Sequence, residues 1–286
     1  MFVIVGANGK TGGAVARALL AKGQPVRVVL HSDRSADRWR AAGAEVVLAD
    51  VQDPASLIVA FRGAQAAYVL NPPEYGVDDL LVPARRVADA YRSALSATGV
   101  RAVALSSIGA QHAEGIGNIL SNHIVESALA PLGTTFVRAG NFMTNWLPSL
   151  SVLRPGVLSS FLAPLDQATP TVAVPDIATV VVRELLSTGS RTVEVTGPAD
   201  YSPNQVAAAF ATAFGRPVDV EVIPRERWFE VLTTKFGFPE GAVGNWIQMW
   251  DGFNSGHIRF EGTPERGQLT IEEFAATAVA TQEARV

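Results

Sequence analysis

Gly6, Gly9 and Gly12 recur at three-residue intervals in Gly6-Ala7-Asn8-Gly9-Lys10-Thr11-Gly12-Gly13, directly after the apolar run Phe2 to Val5. Between a strand and a helix, such a turn is suited to holding linked phosphates. Each glycine has its own task. Gly6 permits the tight exit from the strand, Gly9 lets the backbone approach the phosphates with no Cβ in the way, and Gly12 allows close packing of helix on strand. The helix N-terminus then supplies unpaired N–H groups and a partial positive charge. The spacing is G-x-x-G-x-x-G, not G-x-G-x-x-G, and a glycine-rich turn without a ligand is the competing reading.

If the turn holds a dinucleotide, the end of the second apolar run selects which one. An acid there accepts from the ribose 2′-OH of NAD, whereas a basic residue pairs with the 2′-phosphate of NADP. The sequence is Leu30-His31-Ser32-Asp33-Arg34. No acid directly follows the strand, Ser32 and Arg34 can both bind phosphate, and His31 stands beside them. NADP(H) is therefore favoured over NAD(H), with Asp33 the residue that a loop shift could aim at the ribose. Asp50, next to Val51 past the third strand, is placed to meet the adenine amino group; a solvated loop acid is the bland alternative.

Other chemistries are excluded by composition. The 286 residues contain no cysteine, which removes disulfides, thiolate nucleophiles and thiolate metal centres. The four histidines, His31, His112, His123 and His257, show no metal-binding spacing, so no metal is expected. A net charge of −4 gives no basic footprint for nucleic acid. No uncharged apolar stretch reaches the roughly 18 residues of a membrane span. With a strand starting at Phe2, no signal peptide is expected either, and a cytoplasmic location is the default.

The elements that would position these residues alternate regularly through the first half. Strands are expected at Phe2 to Val5, Val26 to Leu30, Glu45 to Ala49, Ala66 to Leu70, Val100 to Leu105 and Thr134 to Val137. Helices follow them at Ala14 to Lys22, Asp37 to Ala42, from Asp53-Pro54 onward, at Asp78 to Thr98 and at Asn122 to Leu129. Asp53 is a good N-cap with Pro54 in the first helical position, and Gly99 a good helix end. Such alternation implies parallel pairing through right-handed crossovers. After about Phe142, prolines and glycines become frequent. Helices at Asp176 to Leu186, Ser202 to Phe214 and Thr270 to Ala280 are expected there, the last with Thr270 and Glu273 as a capping box, and strands at Arg191 to Thr196 and Val218 to Ile223. The expected architecture is α/β: a Rossmann-type doubly wound parallel sheet over residues 1–150. A smaller C-terminal α+β substrate cap occupies residues 151–286, some of whose elements return to the main sheet.

The glycine turn, Asn71-Pro72-Pro73, Ser106-Ser107-Ile108-Gly109-Ala110, His123-Ile124-Val125-Glu126, the stretch Phe136 to Met143 and Val195-Thr196-Gly197-Pro198 together resemble the NmrA-like branch of the short-chain dehydrogenase/reductase superfamily. Relatives include NAD(P)H-dependent quinone and azo-compound reductases, and proteins that bind the dinucleotide without catalysis and regulate transcription through partners. The resemblance implies that Gly6, Asn8, Gly9, Lys10, Thr11 and Gly12 hold the pyrophosphate. Asn71 and Pro72 would line the ribose-nicotinamide side, with Ser106 beneath the nicotinamide, Asn141 nearby, and His123 near the nicotinamide ribose. His31 stands where relatives often carry an arginine.

The superfamily's usual acid is a tyrosine four residues before a lysine. Tyr68, Tyr75, Tyr91 and Tyr201 precede Pro72, Asp79, Leu95 and Gln205 instead, and no lysine lies between Lys22 and Lys235. Alcohol dehydrogenation and sugar-nucleotide chemistry are thereby disfavoured. Hydride transfer survives, because the dinucleotide carries the hydride and the protein need only orient it. Quinone-like, conjugated acceptors form stabilised oxyanions that water or a weak acid can protonate, and His123 and Tyr75 are the candidate assistants. Phe142 and Trp146, with Trp246 and Trp250 from the aromatic-rich stretch Trp228 to Phe260, would wall an apolar acceptor pocket; packing in the cap core is the bland alternative. The expected function is an NAD(P)H-dependent reductase of a small apolar acceptor. The alternative is a dinucleotide-binding sensor or regulator, and a homodimer or protein partner is left open.

Overall fold

The computed structural model describes residues 1–150 and 152–283. The first eleven elements alternate: β1 (Phe2–Val5), α1 (Lys10–Ala21), β2 (Val26–Leu30), α2 (Ala36–Ala41), β3 (Glu45–Leu48), α3 (Pro54–Phe61), β4 (Ala66–Val69), α4 (Leu81–Thr98), β5 (Arg101–Ser107), α5 (Leu120–Leu129) and β6 (Thr135–Ala139). The expected caps form. Asp53 accepts from the Ala55 and Ser56 amides at 3.0 and 3.1 Å, and Gly99 closes α4 with a left-handed φ of 66°. Helix α4 starts at Leu81, three residues later than its apolar spacing suggests, with Asp79 before it accepting from the Leu81 amide at 2.8 Å.

The remaining elements are β7 (Asn141–Phe142), α6 (Trp146–Ser149), β8 (Val157–Ser160), β9 (Thr169–Val172), α7 (Val174–Leu186), β10 (Thr192–Thr196), β11 (Asp200–Tyr201), α8 (Pro203–Phe214), β12 (Asp219–Val222), α9 (Trp228–Thr234), α10 (Glu240–Asn254), β13 (Glu265–Arg266) and α11 (Ile271–Glu283). Thr270 and Glu273 make the expected capping box, each side chain bonded to the other's amide at 3.2 and 2.9 Å.

Eight strands form one sheet in the order β13-β10-β6-β5-β4-β1-β2-β3, and every pairing within it is parallel. The chain order reverses between β1 and β4, which opens a crevice at the carboxyl ends of the strands. Ile4 faces a core built with α1, α2 and α7, while Val3 and Val5 face a second core built with α3, α4 and α5. The sheet is thus covered on both faces, as its near-continuous apolar strands require. Of the C-terminal half, α7, β10 and β13 belong to this layer. The rest forms two small sheets, β11-β9-β7 and β12-β8, around two further apolar clusters rich in aromatic rings. Among the described residues, no helix is long and apolar enough to cross a membrane.

Candidate dinucleotide site and aromatic cap

Because the strands of the main sheet run parallel, the residues that follow their carboxyl ends share one edge. The turn after β1 opens it. Gly6 sits at φ 69°, a conformation that favours glycine, and its carbonyl accepts from the Gly9 amide at 2.8 Å. A Cβ on Gly12 would collide with the Gly6 carbonyl and lie 2.8 Å from that of Val5, so helix and strand approach as closely as the sequence suggested. Gly9, the N-cap of α1, has an ordinary extended backbone (φ −81°, ψ 175°). A Cβ there would meet only the Gly6 carbonyl, at 3.2 Å, and otherwise project outward. No side chain caps α1 and no acid lies in its first turn. Exposed Asn8, Gly9 and Lys10 surround a helix end whose first amides have no helical partner. This cradle fits a pyrophosphate.

Asn8 also ties the turn to the next loop. Its Oδ1 accepts from Ser35 Oγ at 2.8 Å and from the buried Trp39 indole at 3.1 Å. Among the described residues, the side-chain nitrogen of Asn8 has no hydrogen-bond partner beside these. Thr11, expected at the pyrophosphate, is buried in the first turn of α1. His31, Ser32, Asp33 and Arg34 are all exposed after β2, and among the described residues Arg34 forms no ion pair. Asp50 is exposed after β3, with Oδ1 accepting from the Gln52 amide at 2.9 Å, and Val51 packs against the second core.

After β4, Asn71 and Pro72 are half-buried and Tyr75 is 50% exposed. Tyr75 packs on Phe238 and Trp246, with ring centroids 5.8 and 5.7 Å apart, and partial burial pushes its hydroxyl above the usual phenol range. It therefore remains a proton-bearing group at neutral pH. Tyr68, fully buried on β4, has its hydroxyl pushed further in the same direction by burial, with the Thr11 side chain opposing.

At the end of β5 stands Ser106, which the resemblance sets beneath the nicotinamide. Ser106 is buried and donates to Glu126 Oε1 at 2.5 Å, so its one proton is used inside the protein. Glu126 in turn takes two bonds from Arg138, at 3.0 and 2.7 Å. Ser106 is thereby part of a Ser–Glu–Arg cluster that joins β5, α5 and β6. A carboxylate twenty residues away carries no local signal, and this partnership was not legible. His123, on α5, has Nδ1 2.9 Å from the Ala110 carbonyl. A carbonyl only accepts, so Nδ1 carries a proton, and Nε2 lies 3.3 Å from Ser127 Oγ.

Past β6, Asn141 Oδ1 accepts from Asn145 at 2.8 Å. Phe142 packs against the sheet core, and Trp146 is 4% exposed within the cap. Trp246 stacks on Phe238 at 4.4 Å, and Trp250 on Phe161 at 5.4 Å; Phe161 was not among the residues expected there. Helix α10, which carries both tryptophans, lies against two loops of the carboxyl edge. Tyr75 reaches Trp246 from the loop after β4, and Gln248 accepts from the Gly117 amide, after β5, at 3.0 Å. Gln248 and Asp251 of α10, and Ser255 just after it, help to line a depression of about 580 Å³ with Glu114 and His257. Among the described residues, no three acidic or histidine side chains gather as a metal site would need.

The family model described as "NmrA-like family" matches residues 1–275. The chain is similar to an NAD(P)H azoreductase of Xenophilus azovorans, 29% identical, covering 85% of this chain and 84% of that protein. Its fold matches that of an NADPH-dependent quinone oxidoreductase from Escherichia coli, solved with NADPH, at a TM-score of 0.79 and 22% identity, over 97% of this chain and 99% of that one. It also matches a negative transcriptional regulator, Nmra, solved with NAD, at a TM-score of 0.77 and 19% identity, over 99% and 97%. This chain belongs to the NmrA-like family.

Proposed function

We propose that the protein is an NAD(P)H-dependent reductase of a quinone-like or other conjugated apolar acceptor. One observation carries the reading: the open, glycine-lined N-terminus of α1 and the loop whose Tyr75 packs on Phe238 and Trp246 follow neighbouring strands at the same carboxyl edge of the sheet. The azoreductase and quinone oxidoreductase named above support it by the chemistry in their names.

The turn Gly6 to Gly12 would hold the pyrophosphate, with Lys10 and the Asn8 amide at its rim. Exposed Ser32 and Arg34 would favour a 2′-phosphate, hence NADP(H). Asn71 and Pro72 would line the nicotinamide side. The bound dinucleotide supplies the hydride. The chain supplies orientation and shelter, which convert an encounter in solution into a reaction between held partners. Phe238, Trp246 and Tyr75 give a planar acceptor an apolar surface and exclude water from it. The oxyanion left on a reduced quinone is stabilised by conjugation, so the proton can come from water or from the Tyr75 hydroxyl.

The regulator solved with NAD favours a second reading, in which the dinucleotide is bound as a signal. Titration with NADPH, NADH and their oxidised forms, followed by a panel of quinones and azo compounds, separates the two. The reductase reading expects consumption of reduced cofactor with at least one acceptor. Tight binding with no consumption across the panel would replace it with the sensor.

A further inference from the structure

Within the glycine turn, Asn8 is the residue whose side chain has two unlike ends. A carboxamide offers an accepting oxygen and a donating nitrogen of similar size, so its partners decide which end faces where. Here the partners are Ser35 Oγ at 2.8 Å and Trp39 Nε1 at 3.1 Å, both on one atom. A serine hydroxyl suits either end, because it both donates and accepts. An indole N–H only donates, so the atom it meets is the oxygen. Trp39 alone therefore fixes the orientation of the amide, and the nitrogen is the end not tied to α2.

The two residues differ in their freedom. Trp39 is 2% exposed and belongs to the same core as Ile4 of β1 and Ala7 of the turn, so its ring cannot swing to follow the amide. Asn8 is exposed and directly precedes Gly9, the N-cap of α1. An amide nitrogen at that point adds a donor to the backbone N–H groups of the helix end, whereas an amide oxygen would repel a phosphate.

We propose that Trp39 is a positioning residue for the dinucleotide: by holding the Asn8 oxygen, it keeps the Asn8 nitrogen available as a donor to the pyrophosphate. This rests on the dinucleotide reading and deepens it, since a buried residue of α2 sets the polarity of the phosphate turn. Trp39 acts through Asn8 and does not touch the cofactor.

The test begins with Trp39→Phe, which keeps a buried ring and removes the N–H. Asn8 is then left with Ser35, which accepts either orientation, and has to be ordered when the ligand arrives. The expected result is a Kd for NADPH raised about fivefold, the cost of ordering one side chain on binding. A disturbed core would also weaken binding, so the deciding readout is a double-mutant cycle with Asn8→Ala. Acting through Asn8, Trp39→Phe should change the NADPH affinity of the Asn8→Ala protein by less than about twofold. The same fivefold loss in both backgrounds would overturn the inference, as would a folded Trp39→Phe that binds NADPH like wild type. A further measurement does not depend on either variant folding. In the ¹⁵N-labelled wild-type protein, saturating NADP⁺ should move a proton of the Asn8 side-chain amide downfield, as donation to a phosphate oxygen does. An Asn8 amide signal left in place at saturation would overturn the inference and leave dinucleotide binding standing. No saturable binding of NADPH or NADP⁺ by the wild type would remove the dinucleotide reading and this inference with it.

Discussion

Replacing Glu126 by alanine should destabilise the protein by about 3–5 kcal/mol, the cost of stranding a charge whose partner has been removed from a largely dehydrated site. The magnitude follows from the geometry. The side chains of Arg138 and Glu126 are only 12% and 10% exposed, and the carboxylate satisfies three donors at once: Ser106 Oγ and two guanidinium nitrogens of Arg138. Without it, the one ion pair left to Arg138 among the described residues is a 3.5 Å contact to the exposed Glu261, with Glu194 acting from further off, and the Ser106 hydroxyl loses its acceptor. Such a loss is a large fraction of the ~5–15 kcal/mol that stabilises a typical domain. Urea unfolding followed by far-UV circular dichroism would read it as a lower midpoint at constant slope. The double variant Glu126→Leu/Arg138→Leu should recover most of the loss, because an apolar pair strands no charge. A cost below about 1 kcal/mol for Glu126→Ala would place the pair in the class of surface ion pairs and refute this account of the cluster.

Asn8→Ala should orphan the buried Trp39 indole and free the loop after β2. The expected signs are a loss of about 1–3 kcal/mol in stability and a changed ratio of NADPH to NADH affinity; an unchanged ratio would mean that the loop is fixed by other contacts. Acid stability offers a further check through Glu184, whose carboxyl is held below its ordinary value of 4.5 chiefly by the Arg191 hydrogen bond, with Arg183 assisting. Since the folded pKa is the lower one, this group stabilises the protein above about pH 4.5, and that contribution is lost as the pH falls through the folded value. Melting curves of wild type and Glu184→Gln should therefore converge on acidification, and a constant gap from neutral pH to below 4.5 would contradict the assignment.

The first half of the chain was legible because its signals are local. Apolar runs of four or five residues mark strands that are covered on both faces, and Asp53-Pro54, Gly99 and the Thr270–Glu273 pair mark helix ends through bonds spanning at most four residues. The turn conformation at Gly6 and the close helix–strand packing at Gly12 could be read for the same reason, since each concerns backbone within the turn itself. The second half was harder. Strands β7, β11 and β13 are two residues long, too short for any alternation to show, and β9 contains Pro170, which argues against a strand unless its neighbours are known. Contacts between distant residues were hidden as well. The Asn8–Trp39 bond spans 31 positions and the Ser106–Glu126 bond spans 20. The buried carboxylate that the Ser106 hydroxyl meets was therefore out of reach of any local reading. The aromatic wall was visible as composition, but which rings stack on one another could be seen only once the cap was assembled.

The central claim is that the N-terminus of α1 holds a nicotinamide dinucleotide across Gly9. Fluorescence titration of NADPH into wild type and Gly9→Val tests it most directly. The backbone at Gly9 is one that valine adopts, and the added Cβ lies 3.2 Å from the Gly6 carbonyl, which must shift by a few tenths of an ångström, so the melting temperature of the variant is measured beside its affinity. Its side chain would stand where the phosphates approach. The account predicts saturable binding by the wild type and at least about a 100-fold weaker affinity in the variant, or ~2.8 kcal/mol. Equal affinities in two folded proteins would contradict it.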